Sequence, residues 1–429
     1  MYLADGRTAD GSPDSSDAAG RVPLPGRRAA VPSAVLALGT VSLITDVSSE
    51  MVSAVLPLYL VAELGLSPLG FGLLDGLYNG VSTLVRLVGG RLSDRGGSHK
   101  AVAAVGYGLS AACKPLLLLV HSVPLIGAVL AADRTGKGLR TAPRDAMISL
   151  NSEPAARGRA FGVHRAMDTA GALLGPLAAF ALLRVAAGGY DAVFTVSGCA
   201  AAAGVLVLLL FVPGTSRAPA ARADSRSVPL RAVAGLPAVR RLTGCAVLLG
   251  LTTVSDSFLY LTLQRRLELP ESWFPLLPLG TASVFLLLAV PLGAVADRVG
   301  RGRLFLCGHL ALLAAYGTLV APLGGETAVT CAVLALHGAF YAATDGVLAA
   351  ATADAVPEAL RGSGLATVQT GQAGARFVCS IAFGAAWTAW GDRTALAAAA
   401  AGLAVSAAIG AVLLRPCPAF ADAPAESPR

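Results

Sequence analysis

The sequence predicts an all-α polytopic membrane protein: twelve transmembrane helices in two pseudo-symmetric six-helix bundles. Three observations carry this. Charged residues make up only 14% of the 429, while 55% are hydrophobic, and mean hydropathy is +0.67. Soluble domains carry about 25% charge, so this chain cannot cover soluble domains of its size with polar surface. Apolar runs recur along nearly the whole chain, and a spanning helix needs about 20 such residues. Lysine and arginine, finally, fall very unequally on the two sides that those runs define. This composition excludes an ordinary cytosolic enzyme, a disordered chain and a collagen-like one.

The elements follow in order. Residues 1–32 are rich in Asp, Ser, Gly, Pro and Arg without an apolar run. They read as a disordered cytoplasmic tail, and not as a signal peptide, which needs a hydrophobic region near its start. Apolar spans follow at 33–62, 69–92, 101–120, 124–150, 159–186 and 191–212, giving an N-terminal bundle over 33–212. Residues 213–241 hold Pro213, Pro219, Pro229, Pro237 and six arginines, the composition of a cytoplasmic linker. Spans at 242–266, 274–296, 302–322, 327–356, 361–390 and 393–414 give a C-terminal bundle over 242–414. Residues 415–429 form a second cytoplasmic tail.

An even number of spans puts both tails and the linker on one side. That side carries 21 lysines and arginines and the other carries Arg265, Arg266 and Arg393. By the positive-inside rule the tails and linker are cytoplasmic and the protein lies in the cell membrane. The net charge of +7 is spread among hydrophobic spans, which fits anionic lipid and excludes a nucleic-acid partner. The seven cysteines lack CxxC or metal-type spacing and read as small apolar fillers. The five histidines show no metal-ligand spacing either. No metal and no cofactor is expected, and a soluble catalytic set is not seen. His164 and His337 lie within spans and are placed to titrate.

The halves repeat one another. GRLSDRGG over residues 90–97 follows the second span, and GAVADRVGR over 293–301 follows the eighth. Arg157-Gly158 and Arg361-Gly362 mark a second pair of matching turns. Such repetition is typical of secondary transporters, whose substrate site lies between repeats near the midplane. The fifth span carries Gly162, Gly171, Gly175 and Pro176. The fourth carries a run of charge, DRTGKGLRTAPRD over 133–145. At about 100° per residue, Lys137, Arg140 and Arg144 share an arc of about 60°, with Arg134 at its edge. Four uncompensated charges facing lipid would cost on the order of 10 kcal/mol. This basic ladder must therefore face a wet cavity, acidic partners or the headgroups. Its glycines do not form a nucleotide loop, so ATP use is not expected.

The repeated loops resemble the G-x-L-a-D-R-x-G-r motif of the major facilitator superfamily. The resemblance covers about residues 33–415. It implies a switch between alternating states at Gly90, Asp94, Arg95, Gly293, Asp297 and Arg298. The fifth span resembles the G-x8-G-x3-G-P pattern of antiporters in that superfamily, drug and metabolite exporters above all. Here Ala178-Ala179 stand where two glycines are usual. The fourth span resembles the R-x-x-q-G pattern, with Lys137 in place of glutamine, which implies a cavity role for Arg134.

Asp46 and Glu50 lie four apart on one face of the first span. Carboxylates so close at membrane depth suit reversible protonation near neutral pH, and Asp75 joins them as a proton-coupling candidate. Arg134, Lys137, Arg140, Asp256, Asp345, Gln372 and Arg376 are the substrate-binding candidates, the ladder favouring an anionic or zwitterionic molecule. Arg165 and Asp168 are spaced for an ion pair on their own helix. The function expected is secondary transport by alternating access: proton-coupled efflux of a small organic molecule or drug, by a monomer. The partners are the substrate, protons and the bilayer. Import of a small organic anion or nutrient is the alternative within the fold. A sensor or scaffold without flux is the alternative outside it.

Overall fold

A computed structural model describes residues 31–95, 99–153, 156–186, 189–214, 235–321, 325–354, 356–357 and 360–414. The tail over 1–30, most of the linker and the tail over 415–429 lie outside the described residues. Among the described residues there are thirteen α-helices and no strand. In the first half these are α1 (Ser33–Leu58), α2 (Pro68–Arg95), α3 (His99–Leu116), α4 (Val123–Leu150), α5 (Arg157–Val185) and α6 (Gly189–Phe211). In the second they are α7 (Pro237–Gly250), α8 (Asp256–Arg266), α9 (Leu276–Val299), α10 (Arg301–Val320), α11 (Glu326–Asp354), α12 (Arg361–Trp390) and α13 (Asp392–Leu414).

Local chemistry sets several ends. A π-helical turn, Tyr59–Glu63, continues α1, and Gly65 then takes a positive φ of 63° that a side chain would resist. Pro68 opens α2 and Pro237 opens α7, where a missing N–H costs nothing.

Seven helices are long and apolar enough to cross a membrane by length and composition alone. The other long helices, α2, α3, α4 and α12, are less apolar, and α4 alone carries six charged side chains. The expected seventh span departs in two ways. It begins at Pro237, inside the stretch assigned to the linker, and it is broken at Leu251–Ser255 into α7 and α8. At the break the Val254 N–H donates to the Tyr316 hydroxyl, 2.8 Å away, so a side chain satisfies a backbone group that a continuous helix would have paired.

The packing repeats. In the first half α1 packs on α5 and α6, α4 on α2 and α3, and α3 on α6. In the second half α7 packs on α12 and α13, α11 on α9 and α10, and α10 on α13. The broken α7–α8 pair therefore stands where α1 stands in the first half. The halves meet along α2–α12 and α5–α9. Leu119, Val185, Leu287 and Val290 are among the large apolar side chains turned outward, as a lipid-facing surface requires.

Inter-half contacts concentrate at the end where α1 gives way to α2. Phe258 of α8 sits 4.9 Å, ring centre to ring centre, from both Phe71 of α2 and Phe383 of α12. The Leu69 N–H donates to the Thr388 hydroxyl at 3.2 Å, and the Tyr190 hydroxyl donates to Glu271 at 3.1 Å. Gly384 lies against the Pro68 carbonyl and Gly72 against that of Ser380. Without side chains at these positions, two helix backbones touch.

Candidate functional site

A cavity of about 550 Å³ lies between the halves. One wall comes from α1, α2 and α4 through Glu50, Ser53, Tyr78 and Arg134. The other comes from α8, α11 and α12 through Asp256, Tyr341, Asp345, Gln372 and Arg376. Asp75 lines it at the seam between them.

The first-half wall is built on the α4 ladder, and the ladder is answered rung by rung. Lys137 lies 3.2 Å from Glu50 and Arg140 lies 3.3 Å from Asp46. Arg144 lies 3.0 Å from Asp145 and 3.4 Å from Asp168. Arg134 reaches Asp133 through Nη2 at 2.6 Å and Nε at 3.0 Å. Asp133 also accepts from Lys114 Nζ at 2.8 Å and from the Ser110 hydroxyl at 2.6 Å. Lys114, Asp133, Arg134 and Arg140 are all buried. The Arg134 guanidinium lies 4.0 Å from the centre of the Tyr78 ring, a cation–π contact, and the Tyr78 hydroxyl is 2.6 Å from that of Ser53. Arg165 reaches Asp168 at 3.6 Å as its spacing predicts, yet its side chain is 79% exposed.

The second-half wall is differently made. Asp256 opens α8 and accepts the Tyr341 hydroxyl at 2.6 and 2.8 Å. His337 Nε2 stands 3.3 Å from the same carboxylate, and its Nδ1 is 3.4 Å from the Thr281 hydroxyl. Arg376 makes no ion pair within 4 Å among the described residues, and its buried Nε has no hydrogen-bond partner there. Asp345 is exposed to the cavity. At the seam the Ser380 hydroxyl of α12 donates to Asp75 of α2 at 2.7 Å, a bond between the halves.

The expected proton-coupling residues thus separate. Glu50 and Asp75 line the cavity, whereas Asp46 lies behind it on Arg140. Of the expected substrate-binding residues, Arg134, Asp256, Asp345, Gln372 and Arg376 line the cavity. Lys137 and Arg140 are not among its lining residues and are held by carboxylates of α1. Lys114, Ser380 and the Asp256–His337 contact were not foreseen. Lys114 had a signal: a lysine deep in an apolar span must find an acid.

The fifth-span glycines have a clear use at two positions. A Cβ on Gly171 would stand 2.6 Å from the Leu43 carbonyl and 3.2 Å from the Asp46 Cβ. One on Gly175 would stand 2.7 Å from the Glu50 Cβ. These glycines therefore back the two carboxylates of α1, with Pro176 next inside the same helix. At Gly162 a Cβ would meet nothing within 4 Å, so close packing does not explain it. Alanine at Gly175 is expected to destabilise by about 1–3 kcal/mol through overpacking. Alanine at Gly162 should be neutral. Melting temperatures of the two purified variants in detergent check this.

Of the repeated loops, the surroundings of Gly90 and the side chains of Asp94 and Arg95 lie outside what the structure describes. In the second copy a Cβ on Gly293 would also meet nothing within 4 Å. Asp297 lies 3.7 Å from Arg301, and Arg301 also pairs with Asp354 at the end of α11. Arg298 is exposed. Among the described residues no cluster of three or more His, Cys, Asp or Glu is set to hold a metal ion.

The model of the Major Facilitator Superfamily matches residues 38–288, more than half of the chain. The chain belongs to the major facilitator superfamily. An uncharacterized MFS-type transporter of Methanocaldococcus jannaschii is 29% identical over 349 residues, covering 78% of this chain and 84% of that protein. Among solved structures, nucleoside transporter NupG aligns with a TM-score of 0.76 at 13% identity, over 89% of this chain and 99% of that one. A bacterial homologue of the human lysosomal transporter Spinster, in an inward-facing and unoccupied conformation, aligns with a TM-score of 0.71 at 15% identity. It covers 90% of this chain and 97% of that one. At these identities the likeness is one of fold. This superfamily member is a multi-pass membrane transporter, which implies a small-molecule substrate.

Proposed function

We propose that the protein is a proton-coupled exporter of a small organic molecule, working by alternating access. The observation that carries the reading is the placement of Glu50 and Asp75. Both carboxyl groups line the cavity; Asp75 is bonded between the halves, and Glu50 is paired within the first half. Asp75 is bonded across the seam to Ser380, and Glu50 is paired to Lys137 of α4 and backed by Gly175 of α5. A proton arriving at either changes an interaction that holds the present arrangement, and so shifts the balance between states. Asp46, on Arg140 behind the cavity wall, is the third carboxyl of this set. The glycine pattern of α5, resembling that of antiporters, supports export.

The protein sits in the cell membrane as a monomer with both tails and the linker in the cytoplasm, on the lysine and arginine bias. The sealed end then faces outward, and the cavity belongs to an inward-facing state. The turn from α9 to α10, with Asp297, Arg301 and Asp354, acts with its first-half counterpart as the latch that closes in the opposite state. Import of an organic anion is the second reading, favoured by Arg376, which makes no ion pair within 4 Å among the described residues.

Everted vesicles with an imposed pH gradient test the proposal. Gradient-driven accumulation inside such vesicles is expected, with a loss of at least tenfold in Asp46→Asn and Glu50→Gln. Intact gradient-driven flux in both variants would show that these carboxyls do not carry the proton. Flux in the other direction would establish the importer.

A further inference from the structure

We infer that the substrate is a zwitterion bound across the cavity, its anionic end at Arg134 on the first-half wall and its cationic end at Asp345 and Asp256 on the second. The inference rests on the transport reading above and names the substrate class for the same cavity.

With Asp75 at the seam set aside, the first wall carries one positive charge too many. Each lower rung of the α4 ladder has a carboxylate of its own, Glu50 for Lys137, Asp46 for Arg140 and Asp145 for Arg144. Asp133, by contrast, serves two cations, Lys114 and Arg134. The surplus therefore sits at the top of the ladder, and Arg134 is the member of that trio that lines the cavity. Its Nε and Nη2 are both spent on Asp133, which leaves Nη1 of the fork for a ligand.

The second wall carries a surplus of the opposite sign. Asp256 and Asp345 face a single guanidinium, Arg376, and no ion pair within 4 Å forms between it and either carboxylate among the described residues. With histidines counted neutral, this wall is negative by one charge. Asp75 at the seam, held by the Ser380 hydroxyl, does not change that sign. Asp345 makes no hydrogen bond or ion pair within 4 Å among the described residues, and it is exposed in the cavity.

Surplus charges of opposite sign at membrane depth are costly to leave unanswered. A simple anion would relieve Arg134 but stand against the carboxylates opposite. A simple cation would do the reverse. A molecule with both signs answers both walls, and the cavity of about 550 Å³ is of small-molecule size. A ligand so held touches both halves, and its binding energy favours the state in which the walls approach.

The test uses the purified full-length protein in detergent with no gradient, so a failure of proton coupling or of the export direction leaves it unaffected. Four probes of matched size are titrated by thermal shift and calorimetry. They are phenylalanyl-phenylalanine (zwitterion), its C-terminal amide (cation), its N-acetyl derivative (anion) and the N-acetyl amide (neutral). The zwitterion is expected to bind at least tenfold more tightly than the other three. Arg134→Gln should shift the preference to the cation and Asp345→Asn to the anion. Asp345 is exposed, so its variant stays folded even if loss of Arg134 disturbs the buried trio. Equal affinity for all four, preference for a singly charged or neutral probe, binding of none, or an Asp345→Asn variant with unchanged preference would each overturn the inference.

Discussion

Replacing Asp133 with asparagine is expected to cost about 3–5 kcal/mol of stability, the usual penalty for removing one partner of a buried ion pair. The effect belongs at the top of this range because one carboxylate answers two cations. Lys114 at 2.8 Å and Arg134 at 2.6 Å would both lose their counter-charge. The Ser110 hydroxyl, 2.6 Å away, would keep only a neutral acceptor. Lys114 is 1% exposed and Arg134 5%, so Lys114 has no water to turn to and Arg134 meets it only at the cavity wall. Purified Asp133→Asn should melt far below the parent in detergent or fail to accumulate in membranes. Adding Lys114→Met removes one stranded charge and should recover part of the loss. A single variant that melts with the parent would mean that these groups are solvated in the folded protein.

Gly384→Val is expected to reduce transport at least tenfold by a different route, since it blocks one conformation rather than unfolding the chain. A Cβ there would run into the Pro68 carbonyl and stand 3.2 Å from the Leu69 Cα, where α2 and α12 cross. Two branches cannot be placed between those backbones unless the helices part. The sealed end would then stay open, and an alternating cycle stalls if one of its states is inaccessible. Spin labels at Leu69 and Trp390, both substantially exposed, should report a longer distance in the variant. Gly374→Val on the same helix is the control, because a Cβ at Gly374 would meet nothing within 4 Å. An unchanged distance and unchanged flux in Gly384→Val would show that the contact is not needed.

Much of this was legible in the sequence because it depends on local pattern. The spans follow from apolar runs, the repeated loops from their spacing, and the ladder on α4 from helical periodicity. The ladder's partners were not legible. Arg140 and Asp46 are 94 residues apart and Asp75 and Ser380 are 305 apart, and one sequence does not say which carboxylate will stand opposite which cation. The same limit hid the fate of Lys137 and Arg140, which α1 holds away from the cavity lining. The break between α7 and α8 was hidden for another reason. Gly250 ends α7 and Ser255 precedes α8, but a glycine inside an apolar span is a weak stop signal in a chain with 49 glycines. What supports the break is the hydroxyl of Tyr316, which only the fold brings there. Conversely, Gly162 and Gly293 fit a pattern but meet no neighbour.

The short helix that follows the break faces in two directions. Its first residue, Asp256, lines the cavity, while Phe258 belongs to the aromatic cluster that also lines a smaller pocket on the far side, of about 200 Å³. Two residues along an α-helix is an advance of about 3 Å and a turn of about 200°, so one rod of eleven residues carries the cavity carboxylate and the packed ring on opposite flanks. Carboxylate and ring belong to one short rigid piece, so the cavity lining and the aromatic contact between the halves are tied to each other by a single turn of helix.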